Sequence, residues 1–315
     1  MAAQRLILVL VGPTAGGKTR LALALAARTG AEVLSADMGQ LYRVLDAGTA
    51  KPPGAWVGGR FLAEAGPARI PYHLVDVLDP ADATDAGRYA AMADPILGRL
   101  SAAGAPVIVA GGTGLYLRAL LEGLDPLPKG DAALRERIAA RIRSEGGRAA
   151  HQELQRRDPE AARRIPPGNT QRLVRALEVL ELTGKPISSF WNREKPPRYR
   201  TRVIGLSWDA AALKERIRER AAAMFPDMLR EVRGLVPGRY RGGEPGFRCL
   251  GYPEALACAR GELAPAAALA GMIRATNAYA KRQRTWFRRQ TPAEWLPGDA
   301  PLRALEEAAL RSWNA

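Results

Sequence analysis

The sequence predicts an α/β protein: a parallel sheet with crossover helices, interrupted by a helical insertion. Three observations carry this. Short apolar runs at residues 6–11, 32–35, 73–77, 106–110 and 202–206 alternate with helical stretches such as 18–28 and 87–100. A glycine-rich segment, Gly12-Pro13-Thr14-Ala15-Gly16-Gly17-Lys18-Thr19, stands between the first strand and the first helix. The alternation then stops between about residue 125 and residue 200.

The elements follow in order. The first run is apolar from Leu6 to Val11, and Ala/Leu-rich sequence follows the glycines. This is the G-x-x-x-x-G-K-[ST] phosphate loop in its strand–loop–helix setting, so the fold reads as a P-loop NTPase-like parallel sheet core. Backbone N–H groups of Gly12, Pro13 excepted, through Gly17 line such a cradle, and the helix that follows adds the positive end of its dipole. Lys18 is placed to reach the outer phosphates, and the Thr19 hydroxyl to ligate Mg²⁺. Parallel sheets hold ligands beyond the carboxyl ends of their strands. Asp37 after the second run and Gly111-Gly112-Thr113 after the fourth therefore belong near the loop. In the interrupted stretch Leu134, Ile138 and Ile142, then Leu173, Leu177 and Leu180, recur at helical spacing. Asp125-Pro126-Leu127-Pro128 and Lys195-Pro196-Pro197-Arg198 mark its edges. Residues 210–223 and 265–289 read as helices, and 292–315 as a loop and a short amphipathic helix. The expected organisation is a core in two parts, 1–125 and 201–290, a helical insertion at 126–200, and a tail at 291–315.

Composition bounds the partners. No window approaches ~18 uninterrupted apolar residues, which argues against a membrane span. The chain enters its first strand at once, so no signal peptide is expected. The two cysteines, Cys249 and Cys258, are too few for a disulfide framework, which fits a reducing cytoplasm. The net charge is +15, with 11 basic and 11 acidic side chains in residues 1–125 against 36 and 21 in 126–315. A segregated basic field points to a polyanion. Arginine richness from base composition is the plain alternative.

Asp37 is the candidate base, placed to take a proton from an attacking hydroxyl or amine; the alternative is a helix cap. No carboxylate follows Ala110, where many phosphate-loop ATPases carry one, and Asp76 after Leu74-Val75 either substitutes or caps a turn. This favours a small-substrate transferase over a motor or switch. Thr113 and its glycines fit a diphosphate or acceptor site, or a bare turn. Arg248 is either a clamp on a leaving phosphate or a surface ion pair. Arg172 and Arg175 share one helix face, for RNA or for solvent. Residues 280–289 interleave cations with Trp286 and Phe287, which suits RNA, or core anchoring of the aromatics. His73 and His151 read as structural.

Eight segments together resemble the tRNA dimethylallyltransferase (tRNA isopentenyltransferase) family of the bacterial type. They are Gly12 to Thr19, Ser35-Ala36-Asp37, Asp46 to Pro52, His73-Leu74-Val75-Asp76, Gly111 to Tyr116, Gln171 to Val179, Arg248 to Tyr252 and Ala280 to Trp286. The resemblance implies transfer of a dimethylallyl group from its diphosphate to N6 of adenosine 37 in the tRNA anticodon stem-loop. It implies that the phosphate loop and Mg²⁺ hold the diphosphate, with Asp37 as base and Thr113 and Arg248 positioning the donor. It implies RNA contacts at Asp37, Met38, Gly39, Gln40, Arg135, Gln171, Arg172, Leu173, Val174, Arg175, Lys281 and Arg282. It implies no stable protein partner. The chain departs from the usual pattern at Met38-Gly39 and at Thr276-Asn277-Ala278, and it has no zinc-finger extension. The competing readings are a nucleotide or metabolite kinase and an ATP-switched RNA-binding protein.

Overall fold

The computed structural model describes residues 6–191 and 197–314. It divides into two compact units, residues 1–121 with 197–315, and residues 122–196. The Lys195-Pro196 edge lies outside the described residues. Arg198 and Tyr199, expected in the insertion, belong to the larger unit because both bind Asp94, at 2.8 and 3.1 Å.

In the larger unit β1 (Ile7–Val11), α1 (Lys18–Thr29) and β2 (Glu32–Ser35) form the opening crossover. A hairpin follows, β3 (Gly54–Val57) and β4 (Arg60–Ala65), leading to β5 (Ala68–His73). Then come α2 (Ala86–Ala102), β6 (Val107–Ala110) and α3 (Gly114–Leu121). The strand order is β3-β4-β5-β2-β6-β1, continuing to the two later strands described below. β5, β2, β6 and β1 pair in parallel, whereas β3 and β4 are antiparallel.

The sequence expectation of a strand at 73–77 is corrected. The strand is the preceding β5, and it stops at His73 because Leu74 and Asp76 turn the chain with φ of 59° and 55°. The hairpin was not expected, since β3 is exposed throughout and lacks an apolar alternation. Its signal is Gly58-Gly59, with φ of 54° and 78°, the positive pair that a two-residue hairpin turn requires.

Among its described residues the insertion unit holds α4 (Ala132–Glu145), α5 (Gly147–Arg157), α6 (Pro159–Arg164), α7 (Thr170–Thr183) and a 3-10 turn at Ile187–Phe190. Leu134, Ile138, Ile142, Leu154, Leu173 and Leu177 close its own core. Asp131, Asp158 and Asn169 cap α4, α6 and α7 through their side-chain oxygens.

The chain then returns through β7 (Thr201–Ser207), α8 (Ala210–Leu235), α9 (Tyr252–Ala259), α10 (Pro265–Gln290), β8 (Glu294–Pro297) and α11 (Leu302–Asn314). β7 adds to β1 and β8 to β7, both in parallel. The expected tail is thus an edge strand and a helix of the same unit. α8 runs well past the expected end at residue 223, although Pro226 lies within it. Successive side chains of β1 feed opposite faces: Leu8 and Leu10 pack with α1, Val9 and Val11 with the helices opposite.

The order β2-β6-β1 brings three strand ends together. Gly111 N–H donates to Leu10 O at 3.2 Å, and Thr113 N–H to Ala36 O at 3.1 Å. A Cβ on Gly111 would lie 2.1 Å from Ala36 O, so only glycine permits this approach.

Candidate functional site

The phosphate loop is held from outside through its carbonyls. Lys18 Nζ donates to Gly12 O and Pro13 O at 3.0 and 2.8 Å. Arg216 Nε donates to Ala15 O and Trp208 Nε1 to Gly16 O, each at 3.1 Å. Of the loop's own amides, Thr14 N–H donates to Gln283 Oε1 at 2.7 Å and Gly16 N–H to Pro13 O at 3.1 Å. α1 begins at Gly17 with no side-chain cap, which leaves its first amides and its dipole for an anion.

These amides open on a cavity of about 850 Å³ lined by residues of the larger unit. Seven cations line it (Lys18, Arg20, Lys51, Arg216, Arg220, Arg248 and Arg282) against two acids, Asp37 and Glu219. Lys51 is already paired with Asp46 and Asp76, and the six remaining cations still outnumber the acids, an excess suited to a diphosphate. Lys18 is buried, which pulls its ammonium down to about 8; Asp37 opposes this and Arg220 reinforces it. Burial also lowers the half-buried Arg220 guanidinium, again opposed by Asp37. The carboxylate and both cations therefore sense one another directly.

Asp37 is half-buried at the end of β2. Its Oδ1 accepts Gly39 N–H at 3.0 Å, which fixes the turn into the short 3-10 helix Gly39–Leu41. No other hydrogen bond to this carboxylate is present among the described residues. The capping role and a free oxygen at the cavity thus coexist. Arg248 also lines the cavity, exposed, and carries no ion pair among the described residues. Neighbouring Cys249 is buried, which pushes its thiol up to about 12 and keeps it protonated. Thr113 does not line the cavity. Its Oγ1 accepts Met38 N–H at 3.2 Å and its N–H donates to Ala36 O at 3.1 Å, so it orders the segment beside Asp37. Asp76 pairs with Lys51, and so neither of them is spare for a phosphate.

For a metal, Thr19 and Asp37 line the same cavity. No cluster of three His, Cys, Asp or Glu ligands exists among the described residues. This sparse oxygen set fits Mg²⁺, which takes most of its shell from substrate phosphates and water.

Met38 is exposed beside the cavity and Gly39 packs under it. Gln40, expected at RNA, is buried: its Oε1 accepts from Ser35 Oγ at 2.7 Å and its Nε2 donates to Ala50 O at 3.1 Å. Leu173 and Val174, also expected at RNA, point into the insertion core. Arg175 binds Glu178 at 2.6 Å and Pro128 O at 2.7 Å, and Arg135 binds Glu178 at 3.1 Å, so both brace the insertion. Gln171 and Arg172 are exposed on α7, and Lys281 and Arg282 on α10. Arg282 lies over the Tyr279 ring, 5.7 Å from its centre. Phe287 is buried and Trp286 half-buried against the core, which favours anchoring over base stacking.

Sequence reasoning missed Arg216, Arg220, Tyr279 and Gln283. The signal for the first two was their i,i+4 spacing on one face of α8, masked by the abundance of arginines around them.

A family model described as IPP transferase matches residues 40–290. The chain belongs to that family. A second model, Isopentenyl transferase, matches residues 5–59. The curated tRNA dimethylallyltransferase of Anaeromyxobacter sp. (strain Fw109-5) is 43% identical over 93% of this chain and 96% of its own length. That of Thermus thermophilus is 42% identical, over 97% and 96%. A solved tRNA isopentenylpyrophosphate transferase from Bacillus halodurans superposes with a TM-score of 0.69 at 29% identity, covering 99% of this chain and 97% of that one. Membership makes the chain a transferase, and the kinase and switch readings fall with it. No helix among the described residues is long and apolar enough to cross a membrane.

Proposed function

We propose that this IPP transferase family enzyme transfers the dimethylallyl group of dimethylallyl diphosphate to N6 of adenosine 37, beside the tRNA anticodon. The observation that carries the reading is the meeting of the phosphate loop, a strongly cationic cavity and Asp37 on one site. A kinase needs the same loop, but family membership and the absence of a carboxylate after β6 favour the prenyl donor.

In the reaction the N6–C1 bond forms while the C1–O bond to the diphosphate breaks. Diphosphate departs with the electron pair of that bond. The amides at the start of α1, Lys18 and Arg220 stabilise the charge that develops there. Arg248 and Arg216 extend the same field along the cavity. The Asp37 carboxylate takes the proton lost by N6. Bound Mg²⁺, held by Thr19 and the diphosphate, would neutralise part of the leaving charge. The adenine reaches the site only when out of its stack, so exposed cations such as Arg172, Lys281 and Arg282 are assigned to the RNA backbone.

The test is incubation of the purified protein with labelled dimethylallyl diphosphate and unmodified tRNA, followed by nuclease mapping. Label confined to the anticodon arm is expected. Unlabelled tRNA together with rapid ATP consumption would overturn the reading.

A further inference from the structure

Gln283 does not line the cavity, yet it joins the loops that build it. Its side chain is buried, reaching from α10 into the gap between the phosphate loop and the loop after β6. Its Oε1 accepts Thr14 N–H at 2.7 Å, and its Nε2 donates to Gly112 O at 2.8 Å. The chemistry fixes this orientation: the N–H needs an oxygen and the carbonyl needs a donor, so a flipped amide would satisfy neither. Thr113, the next residue after Gly112, donates its N–H to Ala36 O at 3.1 Å. Thr113 in turn accepts Met38 N–H. The bridge from the phosphate loop thus continues through the loop after β6 to the segment that carries Asp37.

We propose that Gln283 is a positioning residue that sets the spacing between the diphosphate cradle and the loop after β6, and through Thr113 of that loop the register of the Asp37 segment. Each partner offers a reason. Thr14 N–H is a loop amide diverted from the anion, so its engagement shapes the loop rather than binding the ligand. Gly112 O is a buried acceptor at a sheet end, where an unmet carbonyl is costly. A side chain with one acceptor and one donor at this separation satisfies both, and glutamine is the neutral residue of that length.

The inference rests on the reading of the cavity as a diphosphate site, and the experiment separates the two. Inorganic diphosphate with Mg²⁺ is titrated into wild type, Gln283→Met and Gln283→Glu, with affinities read as ratios to wild type at each pH. Methionine keeps the volume and loses both hydrogen bonds. Its diphosphate affinity is expected to fall about tenfold, the scale of one buried bond lost. The donor KM rises alike while the tRNA KM stays put. Glutamate at about pH 8 is ionised: it cannot donate to Gly112 O, and it repels the anion. Its affinity ratio recovers as pH falls to about 4.3, the ordinary glutamate value, and below, where the protonated acid again donates and accepts. A Met variant within twofold of wild type, or a flat pH ratio for the Glu variant, overturns the inference. Should Gln283→Met fail to fold, the Glu profile alone decides. Wild type that binds no diphosphate would defeat the reading of the cavity itself.

Discussion

The decisive residues each answer to a neighbour of opposite demand. Asp37 holds its own turn with one oxygen and faces cations across the cavity. Asp37→Ala is expected to lower kcat by ~10²–10⁴, the size of a lost general base, with little change in diphosphate affinity; single-turnover assays check this. Lys18 sits in the opposite bind, since burial pulls its ammonium down to about 8 while an incoming diphosphate raises it. Only the protonated form attracts the donor. Diphosphate affinity is therefore expected to hold below about pH 8 and to weaken above it, as free Lys18 gives up its proton; calorimetric titration across that range reads the effect. Little at this scale was hidden in the sequence where a motif fixed the backbone. Gly12 to Thr19 and Asp37 stand where strand ends converge. Arg220 and Gln283 were opaque because their meaning comes from the element facing them, on chain segments far from the loop.

Among the elements, the helices with clean apolar spacing were legible and the edge strands were not. α4 and α7 announced themselves through Leu134, Ile138, Leu173 and Leu177, because a helical unit must bury one stripe of each helix. β3 and β8 lie at sheet edges, exposed or half-exposed, so no alternation marks them. The Gln171 to Arg175 segment shows the limit of reading a motif as one surface: on a helix, consecutive residues face different ways. Arg172 faces outward, Leu173 faces the core, and Arg175 turns to a buried acid. That acid, Glu178, is fully buried. Burial pushes its carboxyl up, but hydrogen bonds from Arg175 and Arg135 outweigh this and hold it below its ordinary value of 4.5. Glu178→Ala is expected to destabilise the insertion by about 2–3 kcal/mol, short of a fully enclosed pair because Arg135 is half exposed. Native-state hydrogen exchange over α4 and α7 reads this loss. The contribution is complete above pH 4.5 and fades as pH falls through the lowered value, since protonation removes the charge that both guanidiniums hold.

Across the molecule the positive excess lies mainly after residue 121, more of it in the returning chain than in the insertion. Residues 122–196 carry 15 basic and 11 acidic side chains, whereas 197–315 carry 21 and 12. The insertion also spends Arg135, Arg141, Arg157, Arg164 and Arg175 on internal acids. Among the described residues Lys129, Arg137, Arg148, Arg156, Arg163, Arg172 and Lys185 are exposed and outside these ion pairs. Arg172→Ala is expected to weaken tRNA binding and to reduce the slope of log affinity against log salt by about 0.7–0.9, one phosphate contact; filter binding over a salt series checks this. An unchanged slope would place Arg172 in solvent alone. The core order β5-β2-β6-β1-β7 was foreseen as a parallel sheet because buried runs separated by helices admit little else. The closing strand was not. Trp208, which grips Gly16 O from below, is wedged against Gly298, where a Cβ would come within 2.0 Å of its indole nitrogen. The segment at Gly298 is consequently a floor beneath the phosphate loop, and a bulky side chain there would disturb catalysis from a distance without touching either substrate.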